Sequence, residues 1–195
     1  MKQGKAIIFS APSGSGKTTI VRYLLSTHQN LGFSISACTR QRRKQNEIHG
    51  KDYYFLTPEE FKQKIAEGAF VEWEQVYEDL YYGTLKSEIE RIWGEGKHIL
   101  FDVDVKGGLS LKRYFKDRAL AVFVKVPSLE ELTRRLQQRN TESEKSFKQR
   151  LAKAESEMAY EKEFDVTLVN ANLDDALRKA EALIEAFIQD KQQLV

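Results

Sequence analysis

Two rhythms of apolar and polar positions run along these 195 residues. Val166 to Asn170 reads as a last strand, and short, almost unbroken apolar runs recur at Ile7-Ile8-Phe9, His98-Ile99-Leu100-Phe101 and Leu120-Ala121-Val122-Phe123-Val124. Runs of this length without a polar face predict strands buried on both sides, the habit of a parallel sheet. Between them, helix-prone stretches run from Ile20, from Leu85 to Trp93, toward Phe115, from Leu129, and from Leu173 to Ile188. Strand and helix in alternation predict an α/β protein with its sheet between two helical layers.

The middle of the chain is patterned differently. Gly32 to Thr39 alternates large apolar with small polar residues and reads as one strand, and Asp52-Tyr53-Tyr54-Phe55 as a short one. Thr57-Pro58-Glu59-Glu60 has the cap, first-position proline and returning glutamate of a helix start, and the helix should reach about Gly68. Phe70-Val71-Glu72-Trp73-Glu74 alternates again, placing Glu72 and Glu74 on one face. Tyr81-Tyr82-Gly83-Thr84 reads as a tight aromatic segment, Lys106-Gly107-Gly108 as a turn into a helix, and Ser128 to Glu131 as a capping box.

At 195 residues the chain fits one α/β unit with small insertions. A net charge of +2 is too mild to argue for nucleic acid, and no apolar run nears the ~20 residues of a membrane span. Met1 to Lys5 leads directly into the first strand, so no signal peptide is expected. Cys38 is the sole cysteine, and the three histidines lack metal-ligand spacing. The expected location is cytoplasmic.

The chemistry begins at Ala11-Pro12-Ser13-Gly14-Ser15-Gly16-Lys17-Thr18-Thr19. A strand entering a glycine loop that opens a helix with Gly-Lys-Thr is the setting of a phosphate-binding P-loop. Its backbone N–H groups converge on one anion at the positive end of the helix dipole. Lys17 would reach the outer phosphates, and the Thr18 hydroxyl would ligate Mg²⁺. Ala11 stands where the motif's first glycine is expected. Further on, a basic cluster follows a strand, and its Arg40 and Arg43 could fork a second phosphate. Asp102 and Asp104 end the His98 strand at the sheet edge where ligands bind in such folds. Arg135 and Arg139 share a helix face, and Arg150 lies on the next helix.

Taken in order, Ser13 to Thr18, Gly32 to Ser36 with Thr39-Arg40, Gly50 to Tyr53, Glu72-Trp73, Tyr82-Gly83-Thr84, Asp102 to Asp104, Arg135-Leu136 and Arg139 to Glu142 resemble the guanylate kinase family over nearly the whole chain. The resemblance implies a three-layer P-loop fold in which about 1–32, 96–126 and 160–195 form the core. About 33–95 would be an inserted mixed α/β GMP-binding domain, and about 127–159 a helical lid. It implies transfer of the γ-phosphoryl group of ATP to GMP with Mg²⁺ in purine nucleotide metabolism, and no nucleic-acid or membrane partner. ATP would lie on Ala11 to Thr19, with Asn170 beside it and Lys17, Arg135, Arg139 and Arg150 on the transferring phosphate. The GMP phosphate would be held by Arg40, Arg43, Tyr53 and Tyr82, and the base by Glu72, Ser36 and Thr84. Asp102 and Asp104 would stand near the metal and the guanosine. The pattern departs from the family in the Arg40–Glu47 loop, which is one residue longer and lacks a proline, so that Arg42 could replace Arg43. Lys106 also stands where glutamine is common, and Asn140 where glycine is common.

Guanine chemistry fits the acceptor residues. A carboxylate at Glu72 accepts from both N1–H and the 2-amino group, while Ser36 and Thr84 donate to O6. Adenine would lose both carboxylate bonds, and unpaired polar sites of this kind discriminate by ~10⁴-fold. A rival reading is an inactive phosphopeptide-binding module of the same fold, against which Lys17, Thr18, Arg135 and Arg139 count. A kinase for another monophosphate is the second rival, and Glu72 with its two hydroxyl partners counts against it.

Overall fold

The computed structural model describes residues 4–43, 46–138 and 144–189. Five strands form a wholly parallel sheet: β1 (Ala6–Ser10), β2 (Leu31–Phe33), β7 (His98–Val103), β8 (Ala119–Lys125) and β9 (Val166–Val169), in the order β2-β7-β1-β8-β9. Alternate residues of each strand face opposite helical layers. Ile7, Phe9, Leu100, Val122 and Val124 pack on α1 (Lys17–Thr27) and α7 (Leu173–Ile188) through Ile20, Leu24, Ala180 and Ile184. Ile8, Ile99, Phe101 and Phe123 pack the other way, on α3 (Lys86–Gly94) and α4 (Val105–Phe115) through Ile92, Leu111 and Phe115. β1, β7 and β8 are buried on both faces, which is why they carry no polar alternation, whereas in the edge strand β9 only Leu168 is buried.

A second sheet is built from β3 (Ala37–Cys38), β4 (Tyr54–Phe55), β5 (Phe70–Tyr77) and β6 (Leu80–Leu85), in the order β4-β3-β6-β5. Helix α2 (Pro58–Ala66) has the expected reciprocal cap between Thr57 and Glu60. Its Phe61 is stacked on Phe70 and Tyr81, with ring centroids 4.3 and 5.3 Å apart. A fourth apolar cluster joins α5 (Leu129–Gln138) to α6 (Glu144–Met158) through Leu132, Leu136 and Ala154.

Four local expectations are corrected. The stretch Gly32 to Thr39 is two strands in two sheets. β2 pairs with β7, β3 pairs with β4 and β6, and residues 34–36 cross between them. Alternation persists across the crossover while the bonding partner changes, so the pattern does not reveal the break. Tyr81 to Thr84 lies inside β6, and the reversal comes earlier, at Asp79 with φ 55°. Gly83 is required by proximity, because a Cβ there would lie 2.7 Å from the Glu72 carbonyl oxygen. Gly107 and Gly108 sit within α4, where their bareness lets the helix press against Asp104 and Ser10. At α5 half of the box forms: Glu131 N–H donates to Ser128 Oγ at 3.2 Å, while its carboxylate is taken by Arg134 and Arg135.

Candidate active site

The C-terminal ends of β1 and β7 form one wall of a cleft of about 800 Å³, and β5 and β6 of the second sheet form the facing wall. The order of the strands creates it. β1 sits between β7 and β8, with Phe9 level with Asp102, so the loop leaving β1 passes the carboxylate that ends β7. The central edge of a parallel sheet, where connections depart to opposite sides, is where such folds bind ligands.

The loop is held from three directions. Gly14 and Gly16 adopt φ of +94° and +87°, angles that glycine reaches without strain. Asn170 follows β9; its side-chain amide donates to the Ser15 carbonyl at 2.8 Å, leaving no room for a Cβ on Gly16. Leu136 and Leu132 of α5 cover Gly14, 3.0 and 3.2 Å from where a Cβ would stand. Arg150 of α6 donates to Ser13 Oγ at 2.5 Å, and Arg135 donates to the Asn170 carbonyl at 3.0 Å and to Glu131 at 2.6 Å. The Ser15 hydroxyl is buried and has no hydrogen-bond partner among the described residues.

Lys17 is ion-paired to Asp102, and Thr18 Oγ1 donates to the other oxygen of the same carboxylate at 2.8 Å. Burial lowers the Lys17 ammonium to about 8, against the opposing pull of Asp104 and Glu157. Asp104 caps α4 by accepting from Gly107 N–H at 2.9 Å, with Lys153 of α6 3.9 Å away.

Glu72 faces this group from β5. Burial raises its carboxyl to about 7, with Asp104 and Glu74 adding to the rise, while the Thr84 hydroxyl opposes it. Thr84 Oγ1 donates to Glu72 at 2.7 Å, so of the two hydroxyls expected to serve the base, this one is committed to orienting the carboxylate. Ser36 lies on the same cleft, at the end of the crossover.

At the far end, Arg40 forks onto Glu47 at 2.8 and 2.6 Å and lies over the Tyr53 ring, 4.5 Å from its centroid. The pair raises the arginine and holds Glu47 down at about 2, the Arg40 hydrogen bonds being the largest cause. Arg43 N–H donates to the same carboxylate at 2.7 Å. Tyr53 and Tyr82 meet edge to face at 6.2 Å, and burial raises the Tyr82 hydroxyl.

Of the residues expected in the site, Ala11 to Thr19, Ser36, Tyr53, Glu72, Tyr82, Asp102, Asp104 and Arg150 line this one cleft. Arg40, Thr84 and Asn170 stand behind its wall and act on residues that line it, while Arg135 bonds to Asn170 and Glu131, neither of which lines it. The Arg43 backbone reaches Glu47. Arg139 lies outside the described residues. Sequence reasoning passed over Glu47, Glu74, Lys153 and Glu157, all on the wall. Glu157 is 9% exposed on the second helix of the expected lid, and burial raises its carboxyl.

A phosphate loop at the centre of a parallel sheet, a lysine opening its helix, and a second sheet facing it across the cleft define a P-loop nucleotide-binding protein of the kinase type. A family model described as guanylate kinase matches residues 3–187. Guanylate kinase of Porphyromonas gingivalis is 51% identical over 185 residues, covering 94% of this chain and 98% of that one. Guanylate kinase of Bacteroides thetaiotaomicron is 49% identical, covering 95% of this chain and 90% of that one. The crystal structure of guanylate kinase from Anaplasma phagocytophilum shares the fold, with a TM-score of 0.75 at 24% identity over 100% of this chain and 89% of that one. The chain belongs to the guanylate kinase family.

Proposed function

We propose that this protein transfers the γ-phosphoryl group of ATP to GMP, giving ADP and GDP. The observation that carries this reading is one cleft with Lys17, Thr18 and Asp102 on one side and the Thr84-oriented Glu72 on the other. Family membership agrees with it.

ATP is assigned to the loop Ala11 to Thr19. Backbone N–H groups and Lys17 would take its phosphates, which would draw the ammonium away from Asp102. The buried Ser15 hydroxyl supplies a further donor. GMP is assigned to the second sheet. Its phosphate lies toward Arg40, Arg43, Tyr53 and Tyr82, and its base between Glu72 and Ser36. Ionised Glu72 accepts both guanine donors, and Thr84 contributes by fixing the carboxylate. Glu47 holds the Arg40 fork in place ahead of the substrate.

No general base is assigned, because the attacking oxygen belongs to a phosphate whose second pKa of about 6 leaves it largely ionised at neutral pH. The protein's task is to bring two polyanions together and meet the charge on the moving group. Lys17, Arg135, Arg139 and Arg150 are assigned to it, with α5 and α6 as a lid that excludes water. Residues 33–95 would form the monophosphate-binding insert, 127–159 the lid, and 1–32, 96–126 and 160–195 the core.

The donors beside Lys17 fit Mg²⁺. This cation takes one or two protein oxygens and completes its shell with water and phosphate. Thr18 and Asp102 offer such a pair, and among the described residues no cluster of three metal-ligating side chains competes with them. When bound, Mg²⁺ would neutralise charge between the outer phosphates. Among the described residues no helix is long and apolar enough to cross a membrane.

A coupled ADP-release assay with Mg-ATP and GMP, AMP, UMP or CMP tests the assignment. Turnover with GMP well above the others is expected. Turnover with AMP at the GMP level would overturn the base assignment, and GMP binding without turnover would favour a binding module.

A further inference from the structure

Glu88, on α3, has no part in the chemistry above, and its side chain is fully shut off from solvent. One carboxylate oxygen accepts the Ile35 backbone N–H at 2.9 Å, and the other accepts the Tyr54 hydroxyl at 2.8 Å. Arg91, one turn along α3, adds two donors at 2.9 and 2.8 Å and also reaches the Phe33 carbonyl at 3.3 Å. A buried carboxylate is costly unless its lone pairs are met, and here four donors meet them.

The positions of those donors carry the argument. Ile35 lies in the crossover between the two sheets and immediately precedes Ser36. Tyr54 opens β4 and immediately follows Tyr53. α3 itself begins directly after Thr84 and Leu85. One carboxylate therefore ties together the chain neighbours of a base-side residue, a phosphate-side residue and the strand that orients Glu72. The crossover makes few other bonds of its own: Ser34 N–H donates to Leu100, and Ser36 accepts from Tyr54 N–H. The P-loop half of the cleft is held by different groups, Asn170 and α5.

We propose that Glu88 is a positioning residue of the monophosphate half of the cleft, fixing the Ser34–Ser36 crossover and β4 to α3 so that Ser36 and Tyr53 face one ligand. This rests on the GMP assignment above. A solely structural carboxylate would, on removal, lower the folded fraction and depress turnover without regard to substrate. A positioning carboxylate acts on one substrate.

The test is Glu88→Gln, which keeps the volume and removes the charge that gathers four donors. Expected are a roughly tenfold rise in the KM for GMP, a matching rise in the GMP Kd by calorimetry, and a KM for ATP within twofold of wild type. Tyr54→Phe removes one arm and should raise the GMP KM severalfold in a protein that folds normally, which decides the matter should Glu88→Gln not fold. Unchanged GMP KM in both variants, or equal shifts for GMP and ATP, would overturn the proposal. If wild-type protein binds GMP without turning it over, the kinase reading fails while calorimetry still judges Glu88. If it does not bind GMP, both fall.

Discussion

Protonation of Glu72 should set the pH dependence of GMP use. Its carboxyl stands at about 7, against an ordinary 4.5, chiefly because burial disfavours the charged form. A rise of about 2.5 units is about 3 kcal/mol against ionisation. Guanine offers two donors and needs the ionised form, since a protonated carboxyl would set O–H against N–H. The ionised share falls from about nine-tenths at pH 8 to about one-tenth at pH 6, so the GMP KM should rise about tenfold across that span. The ADP-release assay at saturating ATP reads this directly. The GMP phosphate also titrates, at about 6, and two variants separate it. Thr84→Val removes the hydrogen bond that lowers Glu72, so the step should move to higher pH; Glu72→Gln should abolish it. A step that stays in place in both variants belongs to the phosphate and refutes the argument. Stability gives an independent check of the sign. The folded protein holds this proton more tightly than the unfolded chain does. The destabilisation is therefore absent below pH 4.5, grows between 4.5 and 7, and is constant above. Glu72→Gln should accordingly raise the urea midpoint at pH 8 more than at pH 5.

Three further outcomes are expected. Lys17→Ala should reduce kcat by at least 10³-fold while the calorimetric GMP Kd stays within a few-fold, and a near-wild-type rate would remove Lys17 from its role. Asn170→Ala frees the Ser15 carbonyl from its 2.8 Å bond and should raise the KM for ATP severalfold with the KM for GMP unchanged. Arg40→Ala should weaken GMP, AMP and UMP by similar factors, since its fork faces Glu47 and the Tyr53 ring rather than a base; a guanine-specific loss would contradict that placement.

The sheet, its helices and the phosphate loop are legible in the sequence because each follows from local chemistry: doubly buried strands, a capping Thr57, glycines before Lys17. What escapes is partnership across the fold. Ser34 to Ser36 continues an alternating pattern while its bonds pass from Leu100 to Glu88, a change that no local period encodes. Thr84 has the right chemistry for a base contact, but Glu72 stands directly opposite it on the neighbouring strand and accepts its hydrogen bond. Glu88 and Glu157 go unremarked because the helical period cannot say what packs on each face, and both prove buried. Asn170 is placed beside ATP by family likeness; its 4% exposure and its bond to Ser15 make it a brace of the loop.

The contact between α5 and the loop leads to a last prediction about coupling. Gly14 holds φ +94°, and Leu136 and Leu132 close over it. Gly14→Ala therefore imposes two separable costs: a left-handed residue with a side chain, about 1–3 kcal/mol, and a clash with α5. Leu136→Ala removes most of the second and none of the first. If α5 seats on the loop, the double variant should be less impaired in kcat/KM for ATP than the product of the single effects, by at least about 0.5 kcal/mol. Strict additivity would mean that α5 lies against the loop without steering it. Arg135 reaches its position on the same helix, so coupling at Gly14 would also show that the loop's shape and the delivery of that arginine are one mechanical event.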